Sequence, residues 1–159
     1  MRIRELEIKD APYMLEWMHD ETVVKDLKTE FLSKTLSDCE NFIRESRDTM
    51  ESIHWAIVDE NDEYMGTVSL KNIDGDTAEF GIAIRKKAMG KGYAHYAMSE
   101  MIQYGYDFLR LSLIYWCVNP CNMRAVRFYE KHGYKRIMAP DAAKAYTEDE
   151  KKEYIWYTA

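Results

Sequence analysis

The stretch from Ala78 to Ala94 constrains the fold of this chain most strongly. It reads Ala-Glu-Phe-Gly-Ile-Ala-Ile-Arg-Lys-Lys-Ala-Met-Gly-Lys-Gly-Tyr-Ala. An apolar strand therefore runs into a short loop with two glycines, and the loop opens a helix. Glycine lets the backbone approach a ligand closely, and the first N–H groups of a helix lack partners within it. With the helix dipole they form a site for phosphate, although Gly-x-Gly alone is more typical of a solvated basic turn.

Strand and helix patterns surround this unit. They predict a strand in residues 2–8, helices that begin near Asp10 and Thr35, and an antiparallel run of three strands over residues 53–85. In the helix that starts near Tyr93, the apolar positions step by three and four, which is typical of one buried face: Ala94, Met98, Met101, Gly105 and Phe108. A buried strand, a further helix and two closing strands follow: Leu113–Val118, Asn122–Lys131, Tyr134–Met138 and Tyr154–Tyr157. This order predicts a mixed α/β fold in a single domain over residues 1–159.

Composition and charge exclude several classes of function. The net charge of −6 argues against general nucleic-acid binding, which needs clustered Lys and Arg, and it suits a cationic substrate. Three cysteines without CxxC spacing indicate neither a metal site nor a disulfide framework, and a reducing cytoplasm fits them best. The N-terminus shows no secretory signal, and the longest apolar run is too short to cross a bilayer. We expect a cytoplasmic protein with no metal and no membrane association.

A second motif lies after the buried strand, with the pattern Asn122-x-x-Ala125-x-x-x-Tyr129-x-x-x-Gly133-Tyr134. Together with Lys87-Ala-Met-Gly-Lys-Gly92, it resembles the GNAT family of N-acetyltransferases, in particular the branch of ribosomal-protein and amino-sugar acetyltransferases. That family carries Arg or Gln where Lys87 stands and Phe where Tyr134 stands. The two motifs occur in register, joined by a helix and a strand, and the resemblance covers roughly residues 64–138.

The resemblance implies a fold and a cosubstrate. The fold is a twisted mixed sheet of about six to seven strands flanked by about four helices, with central strands that splay apart. The cosubstrate is acetyl-CoA, whose pantetheine would lie in the wedge between the splayed strands. The residues implied to contact it are Ile82, Ala83, Ile84, Lys87, Met89, Gly90, Lys91, Gly92, Tyr93, Ala94 and Asn122. Asn122 is also a candidate helix cap, and the two roles are compatible.

The reaction that the resemblance implies is direct attack of a primary amine on the thioester. Tyr129 is the candidate acid for the leaving thiolate, and its alternative role is aromatic packing on a helix. Glu79 is the candidate base, because burial beside an apolar sheet would raise its pKa; the alternative is a solvent-facing carboxylate on a strand. His54 and Trp55 are weaker candidates for the acceptor pocket, and Trp55 is the better candidate for the core.

The acceptor is not encoded in a motif. We expect a small-molecule amine, such as an amino sugar or a polyamine, with a protein N-terminus or lysine as the second candidate. A non-catalytic acyl-CoA sensor is the alternative from another class, and it would have no use for Tyr129. The sequence leaves a homodimer open, as well as a subunit that mainly binds a partner protein.

Overall fold

A seven-stranded mixed sheet forms the framework of the protein. The computed structural model describes residues 1–47 and 49–159, and in this part of the chain the strand order is β1-β2-β3-β4-β5-β7-β6. Neighbouring strands are antiparallel except for the parallel pair β4–β5. The strands are β1 (Arg2–Glu5), β2 (Ile53–Val58), β3 (Tyr64–Asp74), β4 (Thr77–Ile84), β5 (Leu113–Val118), β6 (Lys135–Ile137) and β7 (Ile155–Thr158).

Six α-helices connect these strands within the described residues. They are α1 (Ala11–Met18), α2 (Glu21–Val24), α3 (Leu36–Glu45), α4 (Tyr93–Asp107), α5 (Met123–Lys131) and α6 (Glu148–Glu153). Two 3₁₀ turns precede α1 and α4, at Ile8–Asp10 and Lys86–Ala88. The predicted cap at Thr35 is confirmed, because the Thr35 hydroxyl accepts from the Asp38 N–H at 3.2 Å and the Asp38 carboxylate accepts from the Thr35 N–H at 2.8 Å.

The sheet buries side chains on two faces. One face, covered by α4 and α5 and called here the α4 face, contains Phe80 and Trp116. The opposite face is covered by α1, α3 and the segment 139–147, and we call it the α1 face. Cross-strand register assigns further residues to the α1 face, because Lys71 lies opposite Glu79 and Glu79 opposite Tyr115.

The fold matches the predicted class and the predicted order of the strands along the chain, with four corrections. The structure has six helices where about four were expected, because α2 and α6 are too short or too polar to show a clear period. The first strand ends at Glu5, before the 3₁₀ turn. The strand predicted over Tyr134–Met138 is limited to Lys135–Ile137. Phe108 was placed on the buried face of α4 but is 75% exposed, because the helix ends at Asp107.

The described residues include no helix that is both long and apolar enough to cross a membrane.

Candidate active site

A wedge opens between the two parallel strands at the centre of the sheet. Among the described residues, β4 and β5 pair at three positions only, and Glu79 opposite Tyr115 is the last of them. Beyond this pair, β4 continues to Ile84 and β5 to Val118 without pairing to each other. The open edge of β4 therefore includes Ile82, Ala83 and Ile84, whose backbone groups on that side are free to pair with a ligand. The predicted splaying of the central strands is confirmed.

The loop at the wide end of the wedge has the geometry of an anion site. Gly90 and Gly92 adopt φ values of +74° and +88°, which residues other than glycine rarely adopt. Gly92 is the N-cap of α4, and no side chain in the described part of the chain caps that helix, so its first N–H groups stay free. Met89, Lys91, Tyr93 and Ala94 belong to this loop and first turn, as predicted. The loop thus offers free amide donors and positive charge at one helix end.

Two cations near the loop are already engaged. Lys87 donates to the Glu63 carboxylate at 2.6 Å, so its side chain is held at the protein surface. Arg85, 3% exposed, donates to both oxygens of Glu16 at 2.6 and 2.9 Å, to Glu63 at 2.6 Å and to the carbonyl of Tyr64 at 2.8 Å. Arg85 therefore fixes the start of the loop against α1 and β3.

Tyr129 lies on the α4 face at the side of the wedge. Its ring packs in an aromatic cluster that includes Trp116, Tyr134 and Tyr157, with centroid distances of 5.1–6.2 Å. Within the described residues, the Tyr129 hydroxyl has no hydrogen-bond partner, and it is not among the fully buried orphan atoms. Burial raises the pKa of Tyr129 well above its ordinary value, so the phenol keeps its proton at neutral pH.

The α4 face also contains an unpaired donor. The indole N–H of Trp116 is buried and has no hydrogen-bond partner among the described residues. Trp116 is the first residue of β5 after the pairing with β4 ends, and its ring lies 5.4 Å from that of Tyr129. A buried orphan donor is costly, so its position beside the wedge fits a site that a ligand completes.

Asn122 caps α5, so its predicted role as a helix cap is confirmed. Its side-chain oxygen accepts from the Ala125 N–H at 3.2 Å. This cap fixes the start of the helix that carries Tyr129. The predicted contact of Asn122 with a cosubstrate stays a prediction.

Glu79 is buried on the α1 face at the closed end of the wedge. It is 4% exposed, so the solvent-facing alternative is wrong. Its Oε2 accepts from the Asn72 side chain at 2.8 Å, its Oε1 accepts from the Tyr146 hydroxyl at 2.6 Å, and the Lys71 ammonium lies 3.6 Å from Oε1. The two hydrogen bonds and the ion pair position the carboxylate at the point where β4 and β5 separate.

Tyr146 is the site residue that sequence reasoning missed. It comes from the segment before α6, and burial, together with Cys117 and Glu79, raises its pKa, so it donates its proton to the carboxylate. The Lys28 ammonium lies 4.1 Å from the centre of the Tyr146 ring and 3.0 Å from Glu150. Burial raises the pKa of the neighbouring Cys117 thiol to about 11, so Cys117 is not a nucleophile at neutral pH.

His54 and Trp55 point to opposite faces of the sheet. Trp55 packs against Tyr104 of α4 at 4.7 Å, away from Glu79. His54 lies on the α1 face, where one ring nitrogen is 2.7 Å from the hydroxyl of Ser69. Burial, with a smaller effect of Lys71, lowers the pKa of His54 to about 4. Of the two, only His54 lies on the face that carries Glu79.

The sequence is similar to known acetyltransferases. A family model described as the acetyltransferase (GNAT) domain matches residues 1–135. The chain is 25% identical over 150 residues to the "Uncharacterized N-acetyltransferase p20" of Bacillus licheniformis, covering 86% of this chain and 79% of the relative. It is 27% identical over 135 residues to the "Uncharacterized N-acetyltransferase YnaD" of Bacillus subtilis strain 168, covering 84% and 78%.

Solved structures share the whole fold at low identity. The spermidine N-acetyltransferase of Vibrio cholerae, in complex with CoA and spermine, superposes with a TM-score of 0.77 at 20% identity, covering 99% of this chain and 92% of that one. A GNAT-family acetyltransferase of Bacillus anthracis superposes with a TM-score of 0.75 at 23% identity, covering 98% and 90%. With the family match over most of its length, the chain belongs to the GNAT family and is an N-acetyltransferase.

Proposed function

We propose that this protein transfers the acetyl group of acetyl-CoA to a primary amine of a polyamine. The observation that carries the proposal is the wedge, in which the open edge of β4 leads from the loop at the free N-terminus of α4 back to the buried Glu79. Tyr129 packs on Trp116 of the facing strand β5. Acetyl-CoA would supply the activated acyl group. The residues fit it, because the Gly90–Ala94 loop presents free amides to a pyrophosphate and the open edge of β4 presents backbone groups to pantetheine.

The length of the wedge supports the same orientation. From Ile84 back to Phe80, β4 spans four residue steps, or about 13 Å at strand spacing. A pantetheine arm that starts at the Gly90 loop and follows this edge brings its thioester to the closed end, where Glu79 lies. The buried orphan N–H of Trp116 lies at this end too, on the α4 face.

The residue roles follow from the two faces. Glu79, on the α1 face, takes a proton from the attacking ammonium and leaves a neutral amine. Free N–H groups on the edge of β4 stabilise the oxyanion that forms. Tyr129, on the α4 face, protonates the leaving thiolate, and its hydroxyl is free to do so because no other residue in the described chain binds it. Met89, Lys91 and Lys87 complete the loop that holds the cosubstrate.

Carboxylate and aromatic groups on the α1 face favour a polyamine as the acceptor, because they bind ammonium groups in the structure. This face already holds two lysine ammonium groups, Lys71 beside Glu79 and Lys28 on the ring of Tyr146 and the carboxylate of Glu150. Carboxylate and aromatic groups so arranged are suited to binding a chain of amines. The Vibrio cholerae protein of similar fold was solved with spermine, which agrees with this choice.

The test is release of free thiol from acetyl-CoA across a panel of amines: polyamines, amino sugars, aminoglycosides and short peptides. We expect the highest kcat/KM with a polyamine. Higher kcat/KM with a peptide or an amino sugar would contradict the polyamine assignment. A melting temperature that acetyl-CoA does not raise would contradict the cosubstrate assignment itself.

A Glu79→Gln variant tests the role of Glu79 as a base separately from the binding of acetyl-CoA. We expect its turnover to fall by about 10²-fold or more, while the rise in melting temperature with acetyl-CoA persists. Glu40→Gln is the matched control, since it removes a carboxylate of α3 that pairs with Arg44 away from the wedge. Equal turnover in Glu79→Gln and the unaltered protein would remove Glu79 from the reaction.

A further inference from the structure

The side chain of Lys71 lies over the closed end of the wedge on the α1 face. Lys71 is opposite Glu79 in the β3–β4 register, and its ammonium is 3.6 Å from the Glu79 carboxylate. The Lys71 side chain leans two residues further along β4, to the next residue on the same face: a Cβ added to Gly81 would lie 3.2 Å from Cε of Lys71 and 3.5 Å from its Nζ. Glycine at position 81 thus leaves room for a lysine amine beside the first unpaired residues of β4.

This position meets the requirements that the proposed reaction sets for an acceptor amine. The amine needs a base within hydrogen-bond reach or through one water, and it needs open access to a thioester at the start of the wedge. Lys71 has Glu79 as its neighbour, and no second carboxylate in the described part of the chain binds its ammonium. Its side chain is 42% exposed, so it is accessible to a ligand. It is a primary amine tethered at the acceptor position.

We propose that Lys71 is an acetylation site of the protein itself, modified by its own active site when no acceptor amine is bound. This inference rests on the proposed function. The ammonium of Lys71 first gives one proton to Glu79, which returns it to solvent. The Nζ lone pair then attacks the thioester carbonyl carbon, so that a C–N bond forms and the C–S bond breaks. The nitrogen loses its second proton to the emptied Glu79 carboxylate and from there to solvent. The thiolate leaves as free thiol with a proton from Tyr129, and Tyr129 regains a proton from solvent, so that one proton is released overall.

Acetylation of Lys71 changes the site that produces it. The amide is uncharged, so the ion pair with Glu79 is lost, and the added acetyl group fills the space above Gly81. Transfer to a free amine should therefore slow as modified protein accumulates. A bound polyamine excludes the Lys71 amine and should protect it.

The experiment follows acetylation of individual lysines by peptide mass spectrometry, with purified protein and acetyl-CoA but no acceptor. The comparison site is Lys144, which is 76% exposed and therefore more open to uncatalysed acetylation. We expect the initial rate at Lys71 to exceed that at Lys144 by about tenfold or more, because the site holds the reactants together. Spermidine should slow acetylation at Lys71 but not at Lys144. The Tyr129→Phe variant should likewise show slower acetylation at Lys71 and an unchanged rate at Lys144.

A second measurement tests the placement without turnover. CoA, which cannot donate an acetyl group, should protect Lys71 but not Lys144 from an amine-reactive ester. Lys71→Arg, which keeps the charge beside Glu79, should remove the self-acetylation without moving it to another lysine.

The outcomes separate this inference from the proposed function. Transfer to free amines with Lys71 no faster than Lys144 would overturn the self-acetylation and leave the proposed function standing. Lack of protection by CoA, when CoA still raises the melting temperature, would also overturn it. Absence of transfer to any amine, of acetylated Lys71 and of a thermal shift would overturn both.

Discussion

Tyr129 combines tight packing with a free hydroxyl, and this combination is unusual for a tyrosine with only a structural role. We expect Tyr129→Phe to lower kcat by about 10²-fold or more, because the leaving thiolate loses its proton donor. The free energy of unfolding should stay unchanged, since no hydrogen bond of the described chain is lost. Stopped thiol-release assays and urea unfolding measure the two quantities.

The matched control is Tyr134→Phe, in a ring that packs on the same Trp116. It should leave kcat unchanged. A similar loss of kcat in both variants would indicate that the aromatic cluster as a whole, and not the Tyr129 hydroxyl, supports turnover.

His54 makes the stability of the fold depend on pH. Its pKa in the folded protein is about 4, below the ordinary value of 6.5 that it has when unfolded. The unfolded chain therefore binds the proton more readily, and stability is lost as the pH falls from about 6.5 towards 4. At pH 4.5 the expected loss of unfolding free energy is about 2 to 3 kcal/mol relative to pH 7.

Urea unfolding at several pH values tests this effect. His54→Gln should lose less stability between pH 7 and pH 4.5 than the unaltered protein does, because the titrating group is gone. His19→Gln replaces an exposed histidine and should retain the full loss. An identical pH dependence in His54→Gln would contradict the assignment.

At the residue scale, local motifs determined what the sequence could predict. Tyr129 belongs to a motif with fixed spacing, and Glu79 lies on the apolar strand that leads into the glycine loop, so the sequence identified both as candidates. Tyr146 contacts Glu79 from 67 positions away and has no motif of its own. With 12 tyrosines in the chain, only the tertiary contact separates this one from the others.

At the scale of elements, the loop before α4 depends on the positive φ angle of a glycine. Gly90 has φ +74° and open space around an added Cβ, as does Gly75 in the β3–β4 turn at φ +60°. Alanine at either position should cost about 1 kcal/mol of unfolding free energy, because L-residues disfavour positive φ. Gly90→Ala alone should also raise the Kd for acetyl-CoA, by about tenfold, because its methyl group blocks the approach of a pyrophosphate.

Calorimetric titration with acetyl-CoA and urea unfolding distinguish the two costs. Equal Kd values for Gly75→Ala and Gly90→Ala would place the pyrophosphate elsewhere.

Elements with a strong period were predicted well, and elements without one were missed. The alternation in β2, β3 and β4 and the apolar run of β5 identified the four central strands. The sequence of α6, Glu-Asp-Glu-Lys-Lys-Glu, has no apolar face, and the one signal for it is the Thr147-x-x-Glu150 capping pair. Phe108 continued the period of α4 by sequence, but the helix had already ended, so the side chain lies in solvent.

Across the whole molecule, Arg85 links the N-terminal layer to the sheet and the loop. Arg85→Met removes donors from Glu16, Glu63 and the Tyr64 carbonyl, and the carbonyl is left unpaired in a buried environment. The two carboxylates are partly exposed and regain water, so the expected loss is about 2 kcal/mol of unfolding free energy.

Urea unfolding measures this loss. Arg136→Met is the matched control, because the Arg136–Glu130 pair is exposed and should contribute nothing measurable. Equal unfolding curves for both variants would show that Arg85 does not join the two layers.

The outer edges of the sheet are short and charged, whereas one edge inside the sheet is open. The two outer strands, β1 and β6, are four and three residues long and rich in Arg and Lys, which discourages another chain from extending the sheet there. The open stretch of β4 after Glu79 is an edge as well, yet it lies inside the sheet between β4 and β5. A polypeptide strand from a neighbouring molecule meets protein on both sides of this gap, whereas a slender, flexible ligand can enter it. In the part of the chain that the structure describes, the outer edges are thus protected against strand pairing, whereas the inner edge of β4 is open to a narrow ligand.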